Sequence, residues 1–240
     1  MLKPGTHSTG KWKGQSLVEY ALILVLVVVV LVVILNLFGV SLVKVYCTIM
    51  SGLKGPNGGT CSMAYLTDGF DDLNGWQAIF GSTGSWDTSS GQLCTDGSGD
   101  RRLMSNAPLP DDYRITMNNA QLNSGPGFGL MFRLSPSGSN YSGYSFQVDP
   151  GYGNKLIFRR YDLNGAELAI PIAAANPPAG FDWNAQHKVE VEVVGSTFTA
   201  YIDGSPVLTA SDSTYTSGAA GLRTWGNSNA CFDDLSITPP

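Results

Sequence analysis

Charge is scarce in this chain. Lys and Arg number 14 and Asp and Glu 19 among 240 residues, a charged fraction of 14%, against about a quarter in an ordinary soluble domain. With a formal net charge of −5 and no basic stripe, bulk attraction to nucleic acid is excluded as the main role. Histidine is scarcer still, with only His7 and His187. No histidine metal cluster or Ser-His-Asp set can be drawn from two such residues, and His187, beside Lys188 at a strand start, reads as a surface group. The four cysteines contain no Cys-x-x-Cys pair, which excludes a zinc site of the usual spacing. Phosphate-binding glycine loops and internal repeats are absent, and no helical stripe occurs beyond residue 66.

What the chain does have, near its start, is a long aliphatic run. From 21 to 35 every residue is apolar, mostly Val, Leu and Ile, and the run continues to Tyr46, interrupted only by Asn36, Gly39, Ser41 and Lys44. As one helix, residues 17–43 would be roughly 40 Å long at about 1.5 Å per residue, enough to cross a hydrocarbon core of about 30 Å. β-Branched residues are mediocre helix formers in water, but lipid forces the backbone to bond to itself. Lys3, Lys11 and Lys13, with no acid among the first fourteen residues, predict a cytoplasmic N-terminus and an outward-facing remainder. A cleaved secretory signal has a shorter core and a small-residue site after it; neither applies. A plain signal anchor accounts for the span and its orientation, but it gives no reason for Gly14 or for a carboxylate, Glu19, at the membrane edge.

The stretch Gly14-Gln15-Ser16-Leu17-Val18-Glu19-Tyr20 in front of that run resembles the type III signal of type IV-like prepilins. The Glu-Tyr pair is most similar to the Flp pilins of tight-adherence pili. That resemblance implies a peptidase cut after Gly14 and a mature chain starting at Gln15, with Glu19 fifth and Tyr20 sixth. It also implies that the freed amine of one subunit meets the glutamate of a neighbour. The leader is then 1–14 and the pilin helix 15–50. Losing the leader removes three lysines and no acid, so the mature side chains sum to 11 − 19 = −8. Flp pilins are usually little more than this helix, whereas here a whole domain follows.

Residues 51–66 begin with the Gly- and Pro-containing composition of a flexible linker. From 67 to 240 the apolar period becomes two, as strands require. Phe128, Leu130 and Phe132 alternate with Gly129, Met131 and Arg133; Tyr144, Phe146 and Val148 alternate with Ser145, Gln147 and Asp149; Val189, Val191 and Val193 alternate with Lys188, Glu190 and Glu192. Asn164-Gly165, Gly195-Ser196 and Asp203-Gly204 are hairpin signals. Short antiparallel strands of this number predict a two-sheet sandwich, so the chain as a whole reads as α+β, a long N-terminal helix followed by an all-β domain. Cys47, Cys61, Cys94 and Cys231 all lie past the span, in an oxidising compartment that favours disulfides. Three pairings are open, and Cys47–Cys61 would close a short loop where the helix ends.

Asp71-Asp72-Leu73-Asn74-Gly75-Trp76, Trp86 with Gly91-Gln92-Leu93, Gly127 to Arg133, His187 to Val193, Tyr201-Ile202-Asp203-Gly204 and Phe232-Asp233-Asp234-Leu235 together resemble the concanavalin-like, laminin-G-type jelly roll over residues 67–238. In that fold the first and last strands are neighbours, which implies Cys94–Cys231 as a disulfide. The fold hosts lectins, carbohydrate-binding modules and glycosidases alike, so function must come from the site. Glu190 and Glu192 share a strand face, roughly 6.6 Å apart, but lack the third acid that laminarinase-like members place on that strand; the chain reads as a non-enzyme.

Alternation sets Arg133, Gln147, Asp149 and Arg159 on the face opposite the core, with Tyr152 and Trp225 as rings for sugar stacking. Related modules also tie first and last strands with calcium, for which Asp71, Asp72, Asp233 and Asp234 are the oxygen donors at hand; no cofactor is otherwise required. The expected role is a structural pilin of a Flp/Tad pilus. Its helices would form the homopolymer core, and its jelly roll would be displayed for adhesion and glycan binding. Its partners would be its own copies, the prepilin peptidase, the assembly machinery and the cytoplasmic membrane, with the cell surface as destination. The alternative is a membrane-anchored lectin that never polymerises, and a degenerate anchored glycosidase stands third.

Overall fold

The computed structural model describes residues 17–37, 64–137 and 140–240. They fall in two units divided between Met63 and Ala64, each taken by itself. In the first, α1 runs Leu17–Leu37 without Gly or Pro and with apolar residues on every side. Side chains are described over 20–30, where Leu22, Leu24 and Leu26 are largely exposed. Among the described residues no helix is long and apolar enough to cross a membrane, so a span rests on the sequence pattern. The described helix covers 17–37 of the expected 15–50. Gly14, Gln15, Cys47 and Cys61 lie outside the described residues, as does the side chain of Glu19.

The second unit is a sandwich of two antiparallel sheets. The first orders β13 (Ser205–Ser211), β12 (Thr197–Ile202), β11 (Gln186–Val194), β6 (Tyr113–Ser124), β15 (Asn229–Thr238), β4 (Leu93–Thr95) and β3 (Trp86–Asp87), with β1 (Leu66–Asp68) also on β15. The second orders β10 (Ala173–Ala175), β9 (Lys155–Tyr161), β8 (Asn140–Asp149), β7 (Phe128–Ser137), β14 (Ala219–Thr224), β5 (Arg101–Ser105) and β2 (Trp76–Phe80). The inward sets are those the alternation marks: Phe128, Leu130, Phe132, Tyr144, Phe146, Val148, Val189, Val191 and Val193 are all buried. Phe132 packs on Phe198 with ring centroids 4.9 Å apart and on Phe158 at 6.0 Å. Asp203 and Gly204 both take positive φ, the geometry a two-residue I′ hairpin requires, and they join β12 to β13.

The two ends of this unit meet at β15. Leu66 faces Ile237 across β1–β15, and Cys231 faces Cys94 across β15–β4. The disulfide Cys94–Cys231 joins them with α-carbons 4.1 Å apart, just below the usual range of about 4.4–6.8 Å, as fits residues directly opposite in an antiparallel pair. Ala230 and Phe232 point inward, so the bond lies on the outer face of the first sheet.

One alternation breaks. Between Phe132 and Ser135 the β7–β8 register shifts and Arg133 takes φ 50°, a bulge. Instead of joining the outer face, the buried Arg133 donates to the carbonyls of Tyr215 (3.0 Å), Asp111 (3.1 Å) and Gly195 (2.5 Å). Its place is a structural tie between loops, which corrects its expected role in a glycan site.

Candidate functional site

On the outer face of the second sheet Arg223 of β14 faces Gly129 of β7, and Gly129 faces Gln147 of β8. Arg159 of β9 faces Ser145. Beyond Tyr161 the chain turns back at Asp162, whose carboxylate accepts from the backbone N–H of Asn164 and Ala166 (2.8 and 2.9 Å). This turn bridges Glu167 to Tyr161 and so puts the Glu167 carboxylate on the same face as both arginines. Its Oε1 lies 2.6 Å from Arg159 Nε, an ionic contact off the donor axis. Its Oε2 takes an N–H from Arg223 Nη1.

Arg223 is anchored further by Asp100, whose oxygens accept from Nε at 3.2 Å and Nη2 at 3.1 Å, and it donates to the Tyr161 hydroxyl at 2.7 Å. Burial would push Asp100 up, but its bonds and charge contacts with Arg223 and Arg102 outweigh that and hold it below the usual carboxylate range. Each arginine lies over a ring: Arg223 is 4.7 Å from the Trp225 centroid and Arg159 4.6 Å from that of Tyr152. Trp225 rests on bare backbone, because a Cβ at Gly127 would meet the Val148 carbonyl at 2.4 Å and the Trp225 ring at 2.8 Å.

Arg159, Arg223, Glu167 and the two rings line an open pocket of about 250 Å³, together with Pro126 and Gly151. Asp149 lies in its wall, 5% exposed, with Oδ1 accepting the Tyr152 N–H at 2.8 Å. Burial raises its carboxyl to about 6; that N–H and the charges of Arg159 and Arg223 offset only part of the effect, and Glu167 adds to it. Among the described residues Asp149 Oδ2 and Arg159 Nη2 have no hydrogen-bond partner. Arg159 Nη1 is spent on the carbonyls of Leu168 (2.9 Å) and Ala169 (2.7 Å). A larger hollow of about 530 Å³ has an aliphatic wall, Leu168 to Ile172, beside the Arg160–Asp212 ion pair. It presents few groups able to orient a ligand, so the smaller pocket is the candidate site.

Of the residues expected there, Asp149, Tyr152, Arg159 and Trp225 line the pocket. Gln147 lies beneath it, donating to Ser145, Tyr161 and Glu167, with its own Oε1 buried and unpaired. Arg223 was missed although Leu222 marks its inward neighbour. Glu167 carries no local signal, since a turn delivers it.

The calcium set is not assembled: among the described residues no group of three or more His, Cys, Asp or Glu could hold a metal. Asp72 caps Asn74 (2.7 Å), Asp233 caps Asp234 (2.7 Å), and Asp234 accepts from Asn118 (3.1 Å); Asp71 is exposed. Glu190 and Glu192 sit on the other sheet, both paired with Arg114. His187 is no free surface group: it stacks on Phe181 at 4.3 Å between the Asp203 carboxylate and the Asp182 carbonyl.

A carbohydrate-binding module, CBM66 from Bacillus subtilis, is 27% identical, covering 68% of this chain and 95% of its own with a TM-score of 0.57. A β-glucanase from Bacillus licheniformis shares the fold at 17% identity, covering 75% of this chain and 100% of its own with a TM-score of 0.54. A levanase of Bacillus subtilis is 30% identical over 199 residues, 81% of this chain, which spans 26% of that enzyme's length. The family described as the 3-keto-alpha-glucoside-1,2-lyase-like domain matches residues 63–238, nearly the whole sandwich, and it is to this family that the chain belongs.

Proposed function

We propose that this chain binds neutral carbohydrate, taking one sugar ring into the pocket between Tyr152 and Trp225. The observation that carries this reading is the meeting of an unused acceptor, Asp149 Oδ2, with unused donors on Arg159 Nη2, between two rings held by guanidinium groups. A carboxylate beside a guanidinium matches adjacent hydroxyls, which donate to one and accept from the other. At about 250 Å³ the pocket is smaller than a drug-sized site of about 300–1,000 Å³, which suits a single ring. The arginine charges are met by Glu167 and Asp100, which disfavours acidic sugars. Likeness to CBM66 supports the reading, and the levanase relative makes levan the first polymer to try.

Isothermal titration of the full chain in detergent with fructose and levan oligosaccharides tests it. Trp225→Ala is expected to weaken binding at least about tenfold, roughly 1.4 kcal/mol. Wild-type affinity in both Trp225→Ala and Asp149→Asn would overturn the reading.

The remainder of the proposal concerns display. An all-round apolar helix needs apolar surroundings on every side, which lipid or a bundle of like helices supplies. In the pilin reading the chain waits in the cytoplasmic membrane, is cut after Gly14, and assembles through Glu19 and Tyr20 into a surface filament that presents the pocket. In the alternative it stays a membrane-anchored lectin. N-terminal sequencing of surface protein should read from Gln15; an intact Met1 would leave the anchored lectin.

A second reading, lyase action on a 3-keto glucoside, is favoured by the Asp149 carboxyl itself, raised to about 6 and facing the pocket. Its carboxylate would take the proton from C2, the C1–O bond would break as the C1–C2 double bond forms, and the carboxyl would return that proton to the departing oxygen, releasing an alcohol. NMR of the chain with a 3-keto glucoside decides it, and no turnover overturns it.

A further inference from the structure

The pocket is one end of a row that crosses the sheet. In register, Phe80 of β2 faces Arg102 of β5, and Arg102 faces Arg223 of β14. Two arginines opposite each other on neighbouring strands would repel, but Asp100 accepts from both, at 3.0 Å from Arg102 Nη2 and 3.1 Å from Arg223 Nη2. Arg102 also donates to the Gly165 carbonyl at 3.1 Å, and its guanidinium lies between two rings, 4.9 Å from Tyr161 and 5.0 Å from Phe80.

Phe80 owes its place to a bulge. Ala78 packs against the main core, so simple alternation would point Phe80 inward as well. The β2–β5 register shifts between Ala78 and Phe80, which turns the Phe80 ring to the outer face, where it is 51% exposed. A lone exposed phenylalanine needs no explanation. This one is rotated out by a bulge and held by a cation that belongs to the same ion-pair chain as the pocket.

We propose that Phe80 is a second stacking platform, so that an oligosaccharide seated in the pocket runs across β14 and β5 and lays a later ring on Phe80. The inference rests on the sugar reading of the pocket and adds its direction and chain-length preference. Phe80 lies two strand spacings from Arg223, about 10 Å, beyond one bound ring but within reach of a short chain. The intervening polar surface is Asp100, whose side chain is 23% exposed.

The test compares fructose with a levan tetrasaccharide on the full chain in detergent, for wild type, Phe80→Ala and Phe80→Trp. The tetrasaccharide is expected to bind wild type at least about fivefold tighter than fructose, about 1 kcal/mol. Phe80→Ala should abolish that advantage while leaving fructose within about 1.5-fold, and Phe80→Trp should retain it. An advantage that survives Phe80→Ala overturns the inference, as does an equal loss for both sugars, which would make Phe80 a support for Arg102. Fructose binding without any gain from chain length fails the inference alone; binding of neither sugar fails the pocket reading with it.

Discussion

On the outer face of the first sheet Arg114 lies between Glu190 and Glu192, Lys188 reaches Glu190 at 3.1 Å, and the Arg114 guanidinium covers Tyr201 at 4.8 Å. On the outer face of the second, Arg159 and Arg223 share Glu167 and cover Tyr152 and Trp225. The chemistry is alike, and the bookkeeping of donors and acceptors is not. On the first face Glu190 and Glu192 each meet a cation, and the face is stapled by Cys94–Cys231. Among the described residues, the second face leaves Asp149 Oδ2 and nitrogens of Arg159 without hydrogen-bond partners, both residues lining the pocket. What marks a binding site here is unspent hydrogen-bonding capacity between two rings at a pocket, rather than charge.

Removing Arg223 should strike hardest. Arg223→Ala removes a buried cation bonded at once to Asp100, Glu167 and Tyr161, leaving Asp100 to Arg102 and Glu167 to Arg159, for an expected loss of about 3–5 kcal/mol by denaturant unfolding, together with all sugar binding. Cutting the staple on the other face should separate stability from binding. The Cys94→Ser/Cys231→Ser double variant, which frees a sequence separation of 137 residues, is expected to lose about 2–4 kcal/mol with sugar affinity unchanged. A matching fall in affinity would mean that the two faces are not independent.

The pH response comes next, and its two parts oppose each other. Asp149 titrates near 6 in the fold against 3.8 free, so between those values the folded state binds more protons and its stability falls as pH rises. Sugar hydroxyls need the ionised carboxylate as acceptor, so affinity should instead rise as pH climbs through about 6. Titrations at pH 4.5 and 7.5 check this; Asp149→Asn should bind weakly at both and show neither trend. Arg114→Ala, finally, should cost under about 1 kcal/mol and leave sugar binding untouched, since Lys188 still answers Glu190. A penalty equal to that of Arg223→Ala would erase the contrast between the faces.

The sandwich and most of its core were legible in the chain, because a period of two is a local property that burial of one strand face imposes. Phe128, Leu130 and Phe132 point inward as their spacing demands, and Asp203-Gly204 turns where a positive φ is least costly. Asp149, Tyr152, Arg159 and Trp225 were legible as polar or ring-bearing outer positions. Arg133 was misread and Phe80 overlooked for one reason: a bulge shifts a side chain to the other face without a mark in the local pattern. Cys94 and Cys231 could be paired only through the fold they resembled, since which strands adjoin is a long-range matter.

By itself, then, the sequence determined the aliphatic helix, the alternating strands, the turns and the identity of the outer polar residues, all set by interactions within a few positions. Only the tertiary structure decided that Glu167 meets Arg159 and Arg223, that Asp100 links Arg223 to Arg102, and that Asp149 is left with a free oxygen. Those partners come together through strand order, register and two bulges, which the packing of the whole sandwich selects and no short stretch of chain encodes.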